Sequence, residues 1–462
     1  MKYSSIAGFH GGIHPTDGTD KELSKDIPIR VYSPKAVWIS MKQSAGSGCQ
    51  ITVQKGDKVT KGQLIGIPTR FGSANIHASI SGTVMDIMTM KDPQDNEEQY
   101  VIIQAETMSE QQMEEDEAKS IPSHHKGFID ISSYTKEDII TSMKEGGLIG
   151  MGGAGFPTHV KYETTNPIDY VLINAAECEP YLTCDHRLMM EYGYDIMNGI
   201  QLFLKAAGAR KAFICMEDNK KDAAEHLSNL LLKSDLPIEV ILLGTKYPQG
   251  GERQLIEAVI GKEVPAGKLP ADIGVIINNV GTAKALADLI FTKTPLISRC
   301  TTVTGMVKNP GNFLVPIGTR YSELVELAGG FTTENPRVIA GGPMTGTSIM
   351  IGGEVKDLQG SVTKTSSGLV VLEDQTILES PCIRCGQCER VCPAGLAPYK
   401  IDFACIQMDI DLCEKLYATE CISCGCCSYV CPAKRELAHR TTKAKIEVLK
   451  LRMERRNRQN GK

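Results

Sequence analysis

Two stretches near the end of the chain share one spacing: CIRCGQCERVCP at 382–393 and CISCGCCSYVCP at 421–432. In each, three cysteines at intervals of three residues are followed by a fourth cysteine and then by proline. Eleven of the chain's sixteen cysteines lie between positions 382 and 431. Zinc sites use paired rather than tripled cysteines, and isolated buried thiols have no reason to repeat a spacing. The two stretches therefore predict a domain organised around bound metal.

The repeated C-x2-C-x2-C-x3-C-P pattern is the spacing of [4Fe–4S] clusters in two-cluster ferredoxins. Glycine after the second cysteine permits a tight loop around three corners of a cubane, and proline suits the helix that the fourth cysteine begins. The fourth thiolate typically ligates the other cluster. We therefore predict two crossed ligand sets: Cys382, Cys385, Cys388 and Cys431 for one cluster, and Cys421, Cys424, Cys427 and Cys392 for the second.

Three further cysteines of this region are not predicted ligands. Choosing Cys426 would break the spacing, so it is interpreted as a spare thiol beside the cluster, and Cys405 and Cys413 as core residues. The segment between the two stretches, 396–416, is longer than a compact ferredoxin needs and has helical character. An α-helical two-cluster ferredoxin domain is the predicted fold of 373–440.

The composition is that of an ordinary soluble globular protein. The chain has 462 residues, a formal net charge of -5, 42% hydrophobic and 23% charged residues. At roughly 150 residues per domain this length predicts about three domains, and mild acidity argues against nucleic acid as a main partner. No apolar run approaches the roughly 18–20 residues of a membrane span, and the first residues lack the apolar core of a signal peptide. Any membrane role is therefore expected to be peripheral, and the expected compartment is the cytoplasm.

Before the cysteine domain the chain divides by pattern into several segments. Short strands broken by glycines at 53–66 and 80–84 resemble a barrel-sandwich domain of the biotinyl/lipoyl type. Those domains carry a modified lysine at a hairpin tip, but 71–79 contains no lysine, so we predict no prosthetic swinging arm. The predicted segments are an N-terminal leader at 1–29, the barrel-sandwich domain at 30–105, an acidic linker at 106–127, an α/β domain at 128–295, a β-rich domain at 296–372, the cysteine domain at 373–440 and a basic tail at 441–462.

A glycine-rich loop lies near the start of the α/β domain. Gly150-Met-Gly-Gly-Ala-Gly155 matches G-x-G-x-x-G, but the segment before it has a helical pattern and Phe156-Pro157 follows it. A Rossmann site needs a strand before the loop and a helix after it, and a Walker loop needs Gly-Lys-Ser/Thr, so both interpretations fail. What remains is a backbone that can approach a phosphate or a flat ring closely, with Lys161 as counter-charge.

Polar residues follow several predicted strands of the same domain. They are Asn174, Glu177 and Glu179 after one strand, 247–253 after another and 278–282 after a third. Open α/β sheets bind ligands at the carboxyl ends of their strands. A single polar turn would be an ordinary cap, but several on one edge, together with the glycine loop, predict a shared pocket.

Together these motifs resemble the flavin- and NADH-binding subunit of respiratory NADH dehydrogenase, which carries a GxGGAGFPTG-x-K loop, an N-x-x-E-x-E-P segment, a Tyr…Gly…Glu turn and an Asn-Asn-Val-x-Thr turn. The resemblance implies an FMN site lined by Gly150, Gly152, Gly153, Lys161, Asn174, Glu177, Tyr247, Gly250, Asn278, Asn279 and Thr282. It implies contacts to the nicotinamide nucleotide from Phe156, Glu179 and Glu252. No general acid or base is expected, because the protein orients rings and adjusts their potentials.

The order of the parts narrows the resemblance. Gly11-Gly-Ile-His-Pro15 precedes the barrel-sandwich segment, and Gly305-Met-Val-Lys-Asn-Pro-Gly311 with Gly329-Gly330 looks like a soluble-ligand-binding β-grasp (SLBB) domain. The whole arrangement resembles the RnfC family, one of the subunits of the Rnf ion-translocating ferredoxin:NAD oxidoreductase complexes. The expected fold class is multidomain α/β and β, with barrel-sandwich, α/β FMN-binding, SLBB and C-terminal two-cluster ferredoxin domains.

This resemblance implies an enzyme subunit that exchanges electrons between NAD(H), FMN and two [4Fe–4S] clusters, in a complex that couples ferredoxin:NAD oxidoreduction to Na+ or H+ transport. Nicotinamide exchanges two electrons together and a cluster exchanges one, whereas a flavin does both. The implied partners are other subunits of a membrane complex, including integral membrane subunits, with ferredoxin reached indirectly. Two alternatives stay open: a soluble flavin/iron–sulfur reductase such as a cobalamin reductase, and a non-catalytic cluster-bearing scaffold.

The end of the chain is strongly basic. Residues 443–462 hold eight Lys/Arg and two Glu, a side-chain net charge of +6, and Ile446, Leu449 and Met453 fall on one helical face. This pattern fits a solvated terminal helix, or a helix that docks on membrane subunits or anionic headgroups.

Overall fold

The computed structural model describes residues 2–3, 8–19, 21–91, 97–106, 125–375 and 377–460. The predicted acidic linker at 106–127 lies almost entirely outside these residues. The strands are β1 (Lys2–Tyr3), β2 (Arg30–Val31), β3 (Ala36–Ser40), β4 (Gln50–Ile51), β5 (Lys58–Val59), β6 (Leu64–Ile67), β7 (Ile76–His77), β8 (Gly82–Lys91), β9 (Glu97–Ala105), β10 (Tyr170–Asn174), β11 (Lys211–Glu217), β12 (Ile238–Leu243), β13 (Val275–Asn279), β14 (Ser298–Gly305), β15 (Gly311–Pro316), β16 (Pro336–Ala340), β17 (Thr347–Ile351) and β18 (Gly368–Glu373). The helices are α1 (Lys136–Glu145), α2 (Thr158–Tyr162), α3 (Cys184–Glu191), α4 (Gly193–Ala207), α5 (Lys221–Leu231), α6 (Glu252–Ile260), α7 (Val280–Phe291), α8 (Tyr321–Leu327), α9 (Gln387–Arg390), α10 (Pro398–Ile406), α11 (Ile410–Lys415), α12 (Cys426–Tyr429) and α13 (Leu437–Asn460).

A parallel sheet in the order β1-β12-β11-β10-β13 forms the centre of the α/β domain. Its inner strands are apolar runs, as expected for strands that helices cover on both faces. A Cβ at Gly199 would lie 1.8 Å from the carbonyl oxygen of Ala283, so glycine allows α4 and α7 to pack closely. Asn174 at the end of β10 is in register with Asn279 at the end of β13. The polar residues that follow these strands therefore meet at one edge of the sheet.

The barrel-sandwich domain consists of two small antiparallel sheets, β3-β9-β8-β5 and β4-β6-β7. Alternate side chains such as Val37 and Ile39 in β3, and Val101 and Ile103 in β9, are fully buried in its core. The period-two pattern of these strands is what one buried face requires. The hairpin at 68–75 joins β6 to β7 and contacts the α/β domain through the Phe71 ring.

The β-rich domain is a six-stranded mixed sheet in the order β17-β16-β18-β14-β15-β2. Helix α8 packs on it through Leu324 and Val325, which are fully buried. Strand β2 belongs to the predicted barrel-sandwich segment, but it pairs in parallel with β15 of this sheet, Arg30 opposite Phe313. The guanidinium of Arg30 lies 4.1 Å from the centre of the Phe313 ring, which stabilises the pairing.

Short helices α9–α12 and the long helix α13 form the cysteine domain. Cys405 and Cys413 are buried in its core together with Ile401, Ala444 and Val448. The intervening segment is helical, as the sequence predicts. Because Ala444 and Val448 belong to α13, this helix is part of the domain core.

Helix α13 runs from the cysteine domain into the predicted basic tail without a break. The fully buried carboxylate of Asp402 accepts two hydrogen bonds from Arg435, at 2.9 and 2.7 Å, and one from Arg440 at 3.0 Å. Further along, Arg452 and Arg455 pair with Glu414 at 2.6 and 2.7 Å. The described part of the predicted tail is thus a helix anchored to the cysteine domain. In the described ranges, no helix has both the length and the apolar character to cross a membrane.

The N-terminal leader connects two of the domains. Ile13 and Tyr247 exchange backbone hydrogen bonds at 2.8 and 2.9 Å, next to the α/β sheet edge. The backbone N–H of Gly12 donates to the carbonyl of Val391 in the cysteine domain at 2.9 Å. The leader therefore lies between the sheet edge and the cysteine domain.

Candidate functional site

Four cysteines from both stretches line one pocket in the cysteine domain. They are Cys382, Cys385 and Cys388 from the first stretch and Cys431 from the second. Burial raises the pKa of the Cys388 thiol, and the nearby thiols of Cys431 and Cys382 raise it further. The structure thus brings together the first of the two crossed sets that the spacing predicts. Four sulfur donors around one small cavity suit a cubane cluster.

The other four cysteines form a second group. Burial raises the pKa of the Cys427 thiol, and the nearby thiols of Cys424, Cys421 and Cys392 raise it further. Backbone N–H groups point at two of these sulfurs, from Leu396 to Cys392 at 3.4 Å and from Ser423 to Cys421 at 3.3 Å. Such N–H···S contacts tune the potential of a cluster, so this donor set suits the predicted second cluster.

The two cysteine loops have the same backbone shape. Gly386 and Gly425, each directly after the second cysteine of its stretch, have φ of 74° and 79°, a left-handed conformation that glycine adopts without strain. Arg384 and Ser423, each directly before that cysteine, also have positive φ, 53° and 56°. The repetition of an unusual backbone in both loops indicates one shared binding task.

Cys426 lies next to the second group, since Cys424, Cys427 and Cys392 all act on its thiol. Its side chain is fully buried, next to the thiol of Cys424 on one side and 4.0 Å from the carbonyl oxygen of Tyr247 on the other. It therefore lies at the boundary between the cysteine domain and the α/β domain, beside the second group.

The second group is the one that faces the α/β domain. Arg253 at the start of α6 pairs with Glu420, the residue before Cys421, at 3.4 Å. The charges that act on the buried hydroxyl of Tyr247 include Glu179 and Cys424, so this ring lies between the sheet edge and the cysteines. The first group faces outward, because Cys385 is exposed.

The glycine loop folds against the end of β13 and the start of α7. The backbone N–H of Met151 donates to the hydroxyl of Thr282 at 3.0 Å, and that hydroxyl donates to the carbonyl of Ile149 at 3.3 Å. A Cβ at Gly152 would lie 2.9 Å from Nδ2 of Asn279, so this position needs glycine. Gly153 is exposed and faces open space. The loop thus has one glycine that fits the protein and one that leaves room for a ligand.

Other predicted residues gather on the same edge. The amide Nδ2 of Asn174 donates to the carbonyl of Gly250 at 2.9 Å, and the Lys161 ammonium donates to the carbonyl of Ile277 at 2.8 Å. Lys161 is also 4.0 Å from the carboxylate of Glu252. Burial lowers the pKa of Lys161, and Glu252 opposes that shift. A cation and a side-chain amide therefore lie at the same edge of the sheet.

Asn278 and Asn279 hold the end of β13. Nδ2 of Asn278 donates to the hydroxyl of Tyr162 at 2.5 Å, and Nδ2 of Asn279 donates to Asp185 at 2.6 Å. The buried Oδ1 of Asn278 has no hydrogen-bond partner among the described residues. An unpaired buried acceptor is costly unless a ligand or water satisfies it, which favours a bound group at this edge.

Two predicted site residues have partners inside the protein. The carboxylate of Glu177 accepts the backbone N–H groups of Asp185 and His186 at 2.7 and 3.2 Å, and so caps α3. Glu179 accepts the backbone N–H of Met344 at 3.0 Å and the hydroxyl of Thr345. These hydrogen bonds use part of the accepting capacity of each carboxylate inside the protein, and Glu177 lies close to Asp185.

Two residues that no sequence motif indicated lie beside the loop. Burial raises the pKa of Asp185 to about 6, and the charge of Glu177 adds to the shift. Arg299 of β14 donates to the carbonyl of Met151 at 3.2 Å, and its buried Nη1 has no partner within the described parts of the chain. Asp185 follows a cysteine in an ordinary helix start, and Arg299 belongs to another domain, so local pattern carried no signal for either.

Phe156 lies at the mouth of the loop. Its ring is 6.0 Å from that of Phe71 in the barrel-sandwich hairpin, at an interplanar angle of 63°. Its carbonyl accepts the backbone N–H of Gly150 at 2.9 Å, which closes the loop. The barrel-sandwich domain therefore reaches the glycine loop.

Four family models match the chain. Residues 143–288 match the Nuo51 FMN-binding domain, residues 7–108 the RnfC barrel sandwich hybrid domain, residues 300–348 the SLBB domain and residues 376–396 the 4Fe-4S binding domain. The order and the kinds of these domains are those that the sequence motifs predict.

Relatives of known name match most of the chain. It is 39% identical over 448 residues to the subunit designated C in the Na(+)-translocating ferredoxin:NAD(+) oxidoreductase complex of Acetobacterium woodii, covering 96% of this chain and 97% of that one. It is 38% identical over 399 residues to the subunit of the same designation in the proton-translocating ferredoxin:NAD(+) oxidoreductase complex of Clostridium ljungdahlii, covering 85% and 83%. Among solved structures, an NAD+-reducing [NiFe]-hydrogenase in the air-oxidized state aligns with a TM-score of 0.44 and 19% identity, covering 61% of this chain and 54% of that chain.

Proposed function

Because the chain belongs to the RnfC family of subunits of ion-translocating ferredoxin:NAD(+) oxidoreductase complexes, we propose that it is the subunit that exchanges electrons between NAD(H), FMN and two [4Fe–4S] clusters. The observation that carries this proposal is the arrangement of the thiols: two groups of four, with the second group against the glycine-lined sheet edge. A flavin, when bound, exchanges two electrons with nicotinamide and single electrons with a cluster. The chain's own residues hold and orient these groups.

The glycine loop and the sheet edge are the proposed FMN site. Gly153 leaves open space, and the Lys161 ammonium supplies positive charge for a phosphate or a reduced ring. The unpartnered Oδ1 of Asn278 and Nη1 of Arg299 offer an acceptor and a donor that a bound ring or phosphate can satisfy. Asn174 and Gly250 fix each other at the same edge. Phe156, Glu179 and Glu252 are the proposed contacts of the nicotinamide nucleotide.

The two cysteine groups are proposed to act in series. The group with Cys392 lies nearer the α/β domain and exchanges electrons with it, and Tyr247 lies between them. The group with Cys385 faces outward, with the exposed Leu378 and Ile383 beside it. That group is therefore the proposed contact with the next redox subunit of the complex. Further along the proposed electron path are the integral membrane subunits, and ferredoxin is reached indirectly.

The function is tested by anaerobic purification followed by iron, sulfide and flavin assays. We expect about eight iron atoms per chain, one FMN after reconstitution, and dye reduction driven by NADH. A protein that holds about eight iron atoms per chain but binds no flavin would instead support the alternative function of a non-catalytic, cluster-bearing scaffold. Iron well below this amount would contradict the proposed ligand sets.

Helix α13 is the proposed attachment of this subunit to the cytoplasmic side of its membrane complex. Its inner face is fixed by Ala444 and Val448, so its outer face is free to dock. That outer face exposes Ile446, Leu449 and Met453 among basic residues, a pattern suited to anionic or interfacial surfaces.

Serine at all three exposed positions, Ile446, Leu449 and Met453, is expected to lower the membrane-bound fraction of the subunit severalfold, because the apolar contact is lost while the domain core stays intact. Fractionation of membranes that contain the whole complex measures this. The matched control carries serine at Leu232 and Leu269, which are also exposed. This variant should keep the membrane-bound fraction of the wild type. Equal membrane-bound fractions for both variants would refute docking through α13.

A further inference from the structure

The hairpin tip of the barrel-sandwich domain exposes an aromatic ring. The Phe71 side chain is 78% exposed, although a phenylalanine of a stable domain is normally buried. It stands in the segment where lipoyl-type domains present their modified lysine. Arg70 beside it is also exposed. An exposed aromatic ring next to a guanidinium has no part in the barrel-sandwich core, which favours a contact with a ligand.

This tip is docked on the glycine loop. The backbone N–H of Ala45 donates to the carbonyl of Gly155 at 3.1 Å, and Gly46 donates to the carbonyl of Gly72 at 2.8 Å. The Phe71 and Phe156 rings meet edge to face. In this arrangement one ring supports the other, and a flat face stays open to solvent at the mouth of the loop.

A three-domain junction holds the tip in place. The ammonium of Lys364 in the β-rich domain donates to the carbonyls of Asn75 at 2.6 Å and Gly147 at 2.7 Å. The amide of Asn75 donates to the carbonyl of Glu145 at 3.0 Å. These contacts join the hairpin, the start of the glycine loop and the β-rich domain, so Phe71 is positioned before any ligand arrives.

We propose that Phe71 is a binding residue for the nicotinamide dinucleotide: a flat ring of the dinucleotide stacks on it beside Phe156, and Arg70 approaches the pyrophosphate. This inference rests on the proposed function. Aromatic rings bind nucleotide rings through stacking, and a guanidinium matches phosphate oxygens. The glycine loop, which a hydrogen bond from Gly150 to Phe156 closes, supplies the exposed backbone of Gly152 and Gly153. The barrel-sandwich domain thereby supplies one wall of the site.

The test is equilibrium binding of NADH and of reduced nicotinamide mononucleotide to the full-length protein with its clusters and FMN in place. Phe71→Ala is expected to weaken NADH binding about tenfold, Phe71→Tyr to restore it, and Phe71→Leu to stay weak because an aliphatic side chain has no stacking face. If Phe71→Ala weakens the binding of NADH alone, adenine is the stacked ring. If it weakens the binding of both ligands, nicotinamide is the stacked ring. Either result supports the proposal. Leu232→Ala, similarly exposed but remote in sequence, is the control.

Unchanged NADH affinity in Phe71→Ala, with wild-type protein that binds both FMN and NADH, would overturn the inference and leave the proposed function standing. Full binding by Phe71→Leu would overturn stacking. Unchanged NADH binding together with failure of Phe71→Ala to co-purify with the other subunits would assign the ring to a protein contact instead. Wild-type protein that binds neither FMN nor NADH would refute the proposed function and this inference together.

Discussion

Cys385→Ala is expected to lower the iron content from about eight to about four atoms per chain, and Cys431→Ala is expected to do the same. The two residues lie in different stretches, yet their thiols line one cavity with Cys382 and Cys388. Losing one thiolate from a four-thiolate site leaves the cubane incompletely held. Iron and sulfide assays on anaerobically reconstituted protein measure the loss, and spectra of the reduced protein identify the cluster that remains.

Double variants distinguish crossed ligand sets from uncrossed ones. Cys385→Ala with Cys431→Ala should lose no more iron than either alone, because both changes remove the same cluster. Cys385→Ala with Cys421→Ala should lose both clusters. Cys405→Ala changes a buried cysteine that is not a predicted ligand, and it should keep about eight iron atoms. Additive loss in the Cys385/Cys431 pair would contradict the crossed ligand sets.

Gly153→Val is expected to weaken FMN binding about a hundredfold, the effect of a side chain forced into an already filled space. Gly153 faces open space and its φ is not in the left-handed region, so valine fits the unliganded chain without strain. The added methyl groups would occupy the space proposed for the flavin. Titration of FMN into the reconstituted protein, followed by flavin fluorescence, measures the affinity.

Gly127→Val is the control for this change. Gly127 also faces open space with an ordinary φ, and its carbonyl accepts a hydrogen bond from Nδ2 of Asn198 in α4. The Gly127→Val protein should bind FMN with wild-type affinity. Both variants should unfold at the wild-type temperature. Wild-type FMN affinity in Gly153→Val would show that the flavin does not sit over this part of the loop.

The sequence determined those features that depend on short chain distances. Three cysteines at intervals of three residues, followed by a fourth cysteine and proline, are typical of [4Fe–4S] sites, so the spacing indicates the cluster type and the loop conformation. The pattern of 128–295 likewise predicted an α/β domain, and the structure shows that its sheet is parallel. The polar residues at 174 and 278–282 were placed on one edge because the carboxyl ends of parallel strands coincide.

The tertiary structure alone decided which distant side chains meet. Glu177 and Glu179 match the motif of a flavin site, and only the structure shows that their carboxylates also accept hydrogen bonds from a helix start and from a turn of the β-rich domain. Arg299 reaches the glycine loop from another domain, and Phe71 reaches it from a third. Such contacts join residues that are several elements apart along the chain, and their geometry depends on how whole domains pack. A spacing rule applies to residues that the backbone holds close together. The contacts between residues far apart in the sequence are instead determined by how the domains pack.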